Sequence, residues 1–294
     1  MKQINQFITE YIIKKKLETP INSEDHYDYY PKTKDELIEN LNELISKDIY
    51  DFNCIDTSNI TDMTHLFDMS LKKLIKHNLR FVNFDISDWN VSKVENMEYM
   101  FYDCKNFDCD LSKWNVNNVI SMSSLFNGCK NFEGKGLENW DVSKVEAMNY
   151  MFKKCIKLNC DLSKWDISKV QRISRMFFGC ENFDCDLSKW DVSNITDISF
   201  MFNDCKKFKG VGLENWNVSN VTKAMSLFAY CENFDCDLSN WNVSKIENMS
   251  GMFFYCTKFK GIGLEKWNVK RVKDMNFMFD ECTSIKKLPT WYKK

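Results

Sequence analysis

The sequence predicts a repeat solenoid, and three observations carry that expectation: tryptophan recurs at a near-constant interval, a motif recurs in register with it, and no linker interrupts the series. Trp falls at 89, 114, 140, 165, 190, 216, 241, 267 and 291, in steps of 25 or 26 residues with a last step of 24. A fixed period of this size marks stacked repeats, each touching only its neighbours. Each 25–26-residue coil is expected to hold short parallel strands and one short helical segment. The expected organisation is a helical N-terminal cap over residues 1–50, nine coils over 51–288 and a C-terminal tail over 289–294.

Each unit reads Trp-(Asn/Asp)-(Val/Ile)-Ser-x-(Val/Ile), then two residues, then Met-x-x-Met-Phe-x-x-Cys-x-x-Phe. A degenerate first unit starts at Ile55, where Ile replaces Trp and Ser70 replaces Cys; its 34-residue step to Trp89 places one insertion within roughly Met69–Asn83. With the Trp as position 0, position 12 is Phe in all nine coils, from Phe67 to Phe279. Position 11 is Met or Leu, position 8 is Met or Ile except at Ala224, and position 15 is Cys in eight coils, Cys104 to Cys282. Positions 8, 11, 12 and 15 share one helical face, which predicts a short helix with its Met/Phe/Cys stripe turned inward.

The Trp-x-Val alternation suits an extended piece, and a second is expected before the next Trp, as at Cys109-Asp110-Leu111. The 26-residue units carry Gly-x-Gly at 134–136, 210–212 and 261–263, where glycine can absorb the extra residue as a bulge or turn. A phosphate-cradling loop is disfavoured, because the motif recurs as a repeat variant. Stacking at about 4.8 Å per coil predicts a rod roughly 40 Å long.

The unit Trp-Asp-Val-Ser-Asn-Ile-Thr-Asp-Ile-Ser-Phe-Met-Phe at 190–202 resembles the 25-residue repeat of bacterial BspA-type leucine-rich-repeat surface proteins. The likeness extends over about residues 55–291. It implies a leucine-rich-repeat-like solenoid and an adhesive or protein-binding role. The start of the chain, with Tyr-Pro-Lys-Thr-Lys-Asp-Glu-Leu at 30–37, resembles signal-less members from gut bacteria and their phages.

In the cap, Ile4, Phe7, Ile8, Tyr11 and Ile12 make one apolar face of an expected first helix. Thr33-Lys-Asp-Glu36, just after Pro31, reads as a capping box opening a second helix with the stripe Leu37, Ile38, Leu41, Leu44 and Ile45. Lys14-Lys15-Lys16 would favour a membrane-surface helix, but the acids of the second helix oppose it. A cap closing the open end of the solenoid is the better reading.

Composition narrows function further. With 40 basic and 42 acidic residues interspersed, no polyanion is implied, so nucleic acid is not an expected partner. No apolar run approaches the roughly 20 residues that span a bilayer. Met1–Leu17 lacks a signal-peptide core, so the chain is expected to remain cytoplasmic, surface display following only from the family analogy. Thirteen cysteines, an odd number placed by the repeat, fit a reducing compartment better than a disulfide framework. The Cys-x4-Cys pairs 104/109, 155/160, 180/185 and 231/236 join a repeat position to a linker position, unlike converging zinc ligands. The three histidines, His26, His65 and His77, show no ligand spacing.

Asp110, Asp161, Asp186 and Asp237 could be read as a calcium series, but turn acids fit better; Asn/Asp at position 1 and Ser at position 3 likewise suit turns. Six of the seven Asn-x-Ser/Thr triplets fall at in-register turn positions, so glycosylation is not expected. No catalytic residue, metal or cofactor is expected. The expected role is non-enzymatic binding of another protein, with a structural part in a larger assembly as the alternative.

The candidate binding surface comes from phase. If positions 8, 11, 12 and 15 face inward on a helix, positions 10 and 13 point most directly away. Seven aromatics occupy them: Tyr99, Tyr102, Tyr150, Phe178, Phe200, Phe254 and Phe277. An exposed aromatic row would mark an interaction site. A turn tighter than α would instead tuck these rings between coils.

Overall fold

The computed structural model describes residues 27–68 and 79–293. The expected first helix lies outside the described residues, as does most of the insertion. The second helix, α1, runs Lys34–Ser46. Thr33 Oγ1 accepts the Glu36 N–H at 3.2 Å, as its N-cap position requires. Glu36 reaches one residue further back than a capping box does, accepting the Lys32 N–H at 2.6 Å. Leu37, Leu41, Leu44 and Ile45 are buried, with Ile38 packed beside them. They open one apolar core that continues along the stack to Cys282.

The repeating units form the expected stack of coils, but not from the expected elements. The Met-x-x-Met-Phe segments are successive tight turns, not helices, and the extended pieces shrink to isolated parallel bridges. At position 7 those bridges join like positions of adjacent coils: Asp62 to Asn96, Asn96 to Ser121, Ser121 to Ala147 and Ala147 to Arg172, then, past one unbridged step, Asp197 to Lys223, Lys223 to Asn248 and Asn248 to Asp274. Cys109–Leu111 forms no strand.

Hydrogen bonding explains the departure. In the coil of Trp89, the N–H groups of Met97, Tyr99, Phe101 and Asp103 donate to the carbonyls of Ser121, Ser123, Leu125 and Asn127 in the next coil, at 2.7–3.0 Å. The intervening N–H groups of Met100, Tyr102 and Cys104 close local turns onto Met97, Tyr99 and Phe101. An α-helix would consume all of these groups internally and leave nothing for the neighbour. Alternate donors can face the next coil only because the chain enters the left-handed region twice per coil. Position 10 has φ between 49° and 60° in every coil, although Gly occupies it only at 251. Position 14 follows, from Asp103 at 61° to Glu281 at 62°. A left-handed non-glycine residue costs about 1–2 kcal/mol. Inter-coil hydrogen bonds, each contributing about 0.5–1.5 kcal/mol net, offset that cost.

The inward phase itself is as the spacing predicts. Positions 8, 11, 12 and 15 are buried throughout the described coils, apart from the half-buried Met275 in the last. Phe rings at position 12 stack along the rod, with Phe177 5.6 Å from both Phe152 and Phe202. Phe177 also lies 4.1 Å from Phe183 of its own coil. The indoles stack beside them, Trp140 lying 6.3 Å from Trp114 and 6.5 Å from Trp165.

Two side-chain types are used for their donors as well as their bulk. Trp114 Nε1 donates to the Ile86 carbonyl of the preceding coil at 3.1 Å, and Trp140 to that of Leu111 at 3.2 Å. The Leu111 carbonyl already accepts the Trp114 N–H, so one oxygen serves both a turn and a neighbour. The cysteines repeat this device. Cys129 Sγ donates to the Phe101 carbonyl at 3.0 Å, and Cys180 to that of Phe152 at 2.9 Å.

The extra residue of the longer coils is absorbed where the glycines predict it. Gly136 and Gly212 sit at φ 91° and 89°, each leading into a single 3-10 turn, Leu137–Asn139 and Leu213–Asn215. A Cβ on Gly136 would meet the Ser112 backbone nitrogen at 2.2 Å, so close approach to the preceding coil also demands glycine.

Phe177, fully buried between coils, gives the direct test of this packing. Phe177→Ala should cost about 3–5 kcal/mol through lost burial and the cavity left behind, read as a lowered urea midpoint. An unmoved midpoint would contradict the stack.

Candidate interaction surface

The groups most often tied to chemistry are committed to structure here. Asp110, Asp161, Asp186 and Asp237 each accept the backbone N–H two residues on, from Ser112, Ser163, Ser188 and Ser239, at 2.8–3.0 Å. Asn90 and Asp141 at position 1 do the same for Ser92 and Ser143, at 3.1 and 3.0 Å. These are Asx turns, which shape the backbone locally. The N–H, then the hydroxyl, of Ser112 holds the Asp110 carboxyl below the usual carboxylate range, and the hydroxyl, then the N–H, of Ser163 does the same for Asp161.

All thirteen cysteines are free thiols. Burial pushes the stacked thiols far above their ordinary range, as at Cys155, Cys180 and Cys205, so they are poor nucleophiles. The linker thiols follow for the same reason, Cys185 reaching about 11 and Cys109 about 12. Among the described residues no group of three His, Cys, Asp or Glu side chains is placed to hold a metal ion. His65 instead pairs with Asp68 at 2.6 Å and stacks on Tyr99 at 4.6 Å. His26 and His77 lie outside the described residues.

The aromatic positions lie on one flank, held there by the left-handed residue at position 10. Tyr99, Tyr102, Tyr150, Phe178, Phe200 and Phe254 are half-buried, and Phe277 is 65% exposed. They form three groups, not one row, because Ser124, Ser226 and Gly251 interrupt position 10. Tyr99 meets Tyr102 at 5.8 Å in the first group. In the second, Arg175 occupies position 10 between two rings, with its guanidinium 5.4 Å from Tyr150 and 4.4 Å from Phe200. Arg175 also donates to the Tyr150 hydroxyl at 3.2 Å. Lys153 lies over both Tyr150 and Phe178, 5.4 and 5.5 Å from their centroids. Burial first, then the charges of Lys154 and Arg175, lower the Lys153 pKa.

The third group contains two rings that helical phase could not find. Tyr230 and Tyr255 sit at position 14, 43% and 40% exposed, and contact each other at 5.7 Å. Tyr230 meets Phe254 edge-on at 5.2 Å. On a helix, position 14 turns toward the side; the positive φ of 62° and 60° turns these two outward. Tyrosine at the same position of adjacent coils was the available signal.

A shallow groove of about 380 Å³ runs beside this flank, lined by Ser199, Thr222, Lys223, Met225, Glu247, Asn248, Lys273 and Asp274. It borders the coils in which position 10 shrinks to Ser226 and Gly251, between Phe200 and Phe277. Its walls mix both charge signs, and Lys273 is paired with Glu247 at 2.6 Å. No helix among the described residues is long and apolar enough to cross a membrane.

The family described as "Mycoplasma protein of unknown function, DUF285" matches the chain three times, over residues 35–135, 109–211 and 210–293. Comparison with curated proteins gave no match.

The buried thiols give the surface a silent interior and the fold an alkaline limit. A thiol whose folded pKa lies above its unfolded value near 9 stabilises the fold fully below pH 9. That contribution is lost as pH rises toward the folded value. Cys180→Ala should therefore flatten the fall of stability above pH 9 by up to about 1.4 kcal/mol per pH unit, measured by urea unfolding at successive pH values. An unchanged slope would mean Cys180 is not protonated and buried.

Proposed function

The chain belongs to the family of Mycoplasma proteins of unknown function, DUF285, and we propose that it is a non-enzymatic scaffold that binds another protein along its aromatic flank. The observation that carries this reading is the third aromatic group, where Tyr230, Phe254 and Tyr255 touch one another yet two of them remain at least 40% exposed. Rings already held by neighbours lose little freedom on binding, and such amphipathic anchors dominate protein interfaces. The groove beside them offers polar groups for a rim. The likeness of the Trp190–Phe202 unit to BspA-type leucine-rich repeats supports the same role, by family habit adhesive or protein-binding. Thirteen free thiols support a reducing, cytoplasmic setting.

The three groups make different predictions. Tyr150→Ser with Phe200→Ser strips both rings from Arg175 and should lower stability by about 1–3 kcal/mol, because these rings are part of the packing. Tyr230→Ser with Tyr255→Ser should shift stability by no more than about 0.5 kcal/mol. The second variant should also lose at least tenfold in affinity for a protein that the wild type captures saturably from host lysate. Retained capture, or a large fall in its melting temperature, would remove the third group from the interface.

A further inference from the structure

Charge along this rod follows a pattern that fails in one place. Lysines repeatedly pair with an acid one coil earlier: Lys135 with Asp110, Lys206 with Glu181, Lys260 with Asp235 and Lys273 with Glu247. On the aromatic flank of the fourth and fifth coils that partner is missing. One coil before Lys153, Lys154 and Arg175 stand Asn127, Gly128 and Tyr150, and one coil after them stand Phe178, Gly179 and Phe200. Among the described residues none of these three cations forms an ion pair.

The stack concentrates what the sequence disperses. Positions 7–17 of the third, fourth and fifth coils are residues 121–131, 147–157 and 172–182. They hold Lys130, Lys153, Lys154, Lys157, Arg172 and Arg175 against one acid, Glu181. Glu181 is already paired with Lys206 at 2.9 Å. The coils on either side are acidic or balanced at these positions: residues 96–106 hold two acids and one base, and residues 197–207 two of each. Asp141, Asp161 and Asp166, which offset these cations in the sequence, are held in Asx turns at positions 1 and 21. Charge that is interspersed along the chain is thus sorted by the repeat into a basic patch.

The cations of this patch are also held in place. The Arg175 guanidinium lies 5.4 Å from the Tyr150 ring and 4.4 Å from that of Phe200, and Lys153 lies over Tyr150 and Phe178. Arg175 donates to the Tyr150 hydroxyl, and its other side-chain N–H groups make no hydrogen bond among the described residues. A planar guanidinium kept in one orientation meets a carboxylate with two parallel hydrogen bonds. Side chains that are already ordered lose little freedom on binding. Lys154 stands exposed beside them. Burial, then the charges of Lys154 and Arg175, disfavour the charged form of Lys153, and a carboxylate at this place would relieve that.

From these we infer that the flank of the third to fifth coils binds an acidic segment of a partner protein, whose Asp or Glu carboxylates are received by Lys153, Lys154 and Arg175. The rings here are half-buried and already faced by cations, so they position charge and do not form an open stack for nucleobases. The fitting anion is a polypeptide acid. This inference rests on the reading of the flank as a protein-binding surface, but on none of the residues of the third aromatic group.

Fluorescence anisotropy of a short labelled polyglutamate peptide, titrated with the chain at low salt, tests it. Wild type should bind saturably, and the affinity should fall as salt screens the contact. Lys153→Gln with Lys154→Gln should weaken binding at least tenfold. Lys154→Gln alone leaves the ring contacts in place, and it should weaken binding at least threefold with an unchanged urea midpoint. Lys207→Gln with Lys258→Gln removes the same charge from other coils and should leave affinity within twofold of wild type. Tyr230→Ser with Tyr255→Ser should bind the peptide as wild type does, whatever its capture of a protein partner, so the two readings fail separately. A wild type that does not bind saturably, a Lys154→Gln variant that binds unchanged, or a Lys207 and Lys258 variant that loses as much as the patch variant would each overturn the inference. So would an oligothymidylate of equal charge that binds more tightly than the peptide, which would assign the patch to single-stranded nucleic acid.

Discussion

Everything in this structure depends on how each coil divides its backbone donors. Alternate N–H groups close tight turns, and the others go to the next coil. That division fixes the path of the chain, because it requires a left-handed residue at positions 10 and 14. It places the inward face at positions 8, 11, 12 and 15. It also flattens each coil enough for Phe and Trp rings to stack in register, 5.4–5.8 Å apart for pairs such as Phe101 with Phe126 and Phe126 with Phe152. The core and the backbone ladder are thus one device, and neither could be exchanged for a helix without losing the other.

The conserved chemistry of each unit follows from carbonyls that accept twice. The Leu111 and Phe101 oxygens each take a turn N–H and a donor from the next coil, an indole in one case and a thiol in the other. An apolar residue of similar size at the Trp or Cys position would fill the space and leave the second acceptor site empty. This explains why residue types usually associated with binding or redox chemistry recur here at buried, inert positions. Burial alone keeps the thiols protonated, and the Asx turns account for the recurring acids.

Much of this was legible in the sequence. The Trp period identified the stack, the i, i+3, i+4, i+7 spacing identified the inward face, and Gly-x-Gly marked where a longer coil turns. The turn conformation was not legible, because a face repeating every three to four residues is common to an α-helix and to a ribbon of i to i+3 turns. What separates them is the destination of alternate N–H groups, which lies in the neighbouring coil. The same blindness hid Tyr230 and Tyr255, whose outward direction depends on a positive φ that Tyr does not announce. It also made the aromatic flank look continuous, when the small residues at 124, 226 and 251 divide it.

The register of the bridges carries an evolutionary consequence. Position 7 pairs with position 7 in seven of the eight steps from Asp62 to Asp274, whether the step is 25 residues, 26 or, from Asp62 to Asn96, 34. Duplicating or excising one whole coil therefore presents each neighbour with the same acceptors and the same rings as before. A deletion within positions 7–15 would break those contacts, whereas the connecting segments absorb a changed length, as the 34-residue step from Asp62 to Asn96 shows. Genes for such a chain can lengthen or shorten by unequal recombination in single-coil quanta while the protein still folds, so the reach of its flank is a heritable variable that changes by one coil at a time.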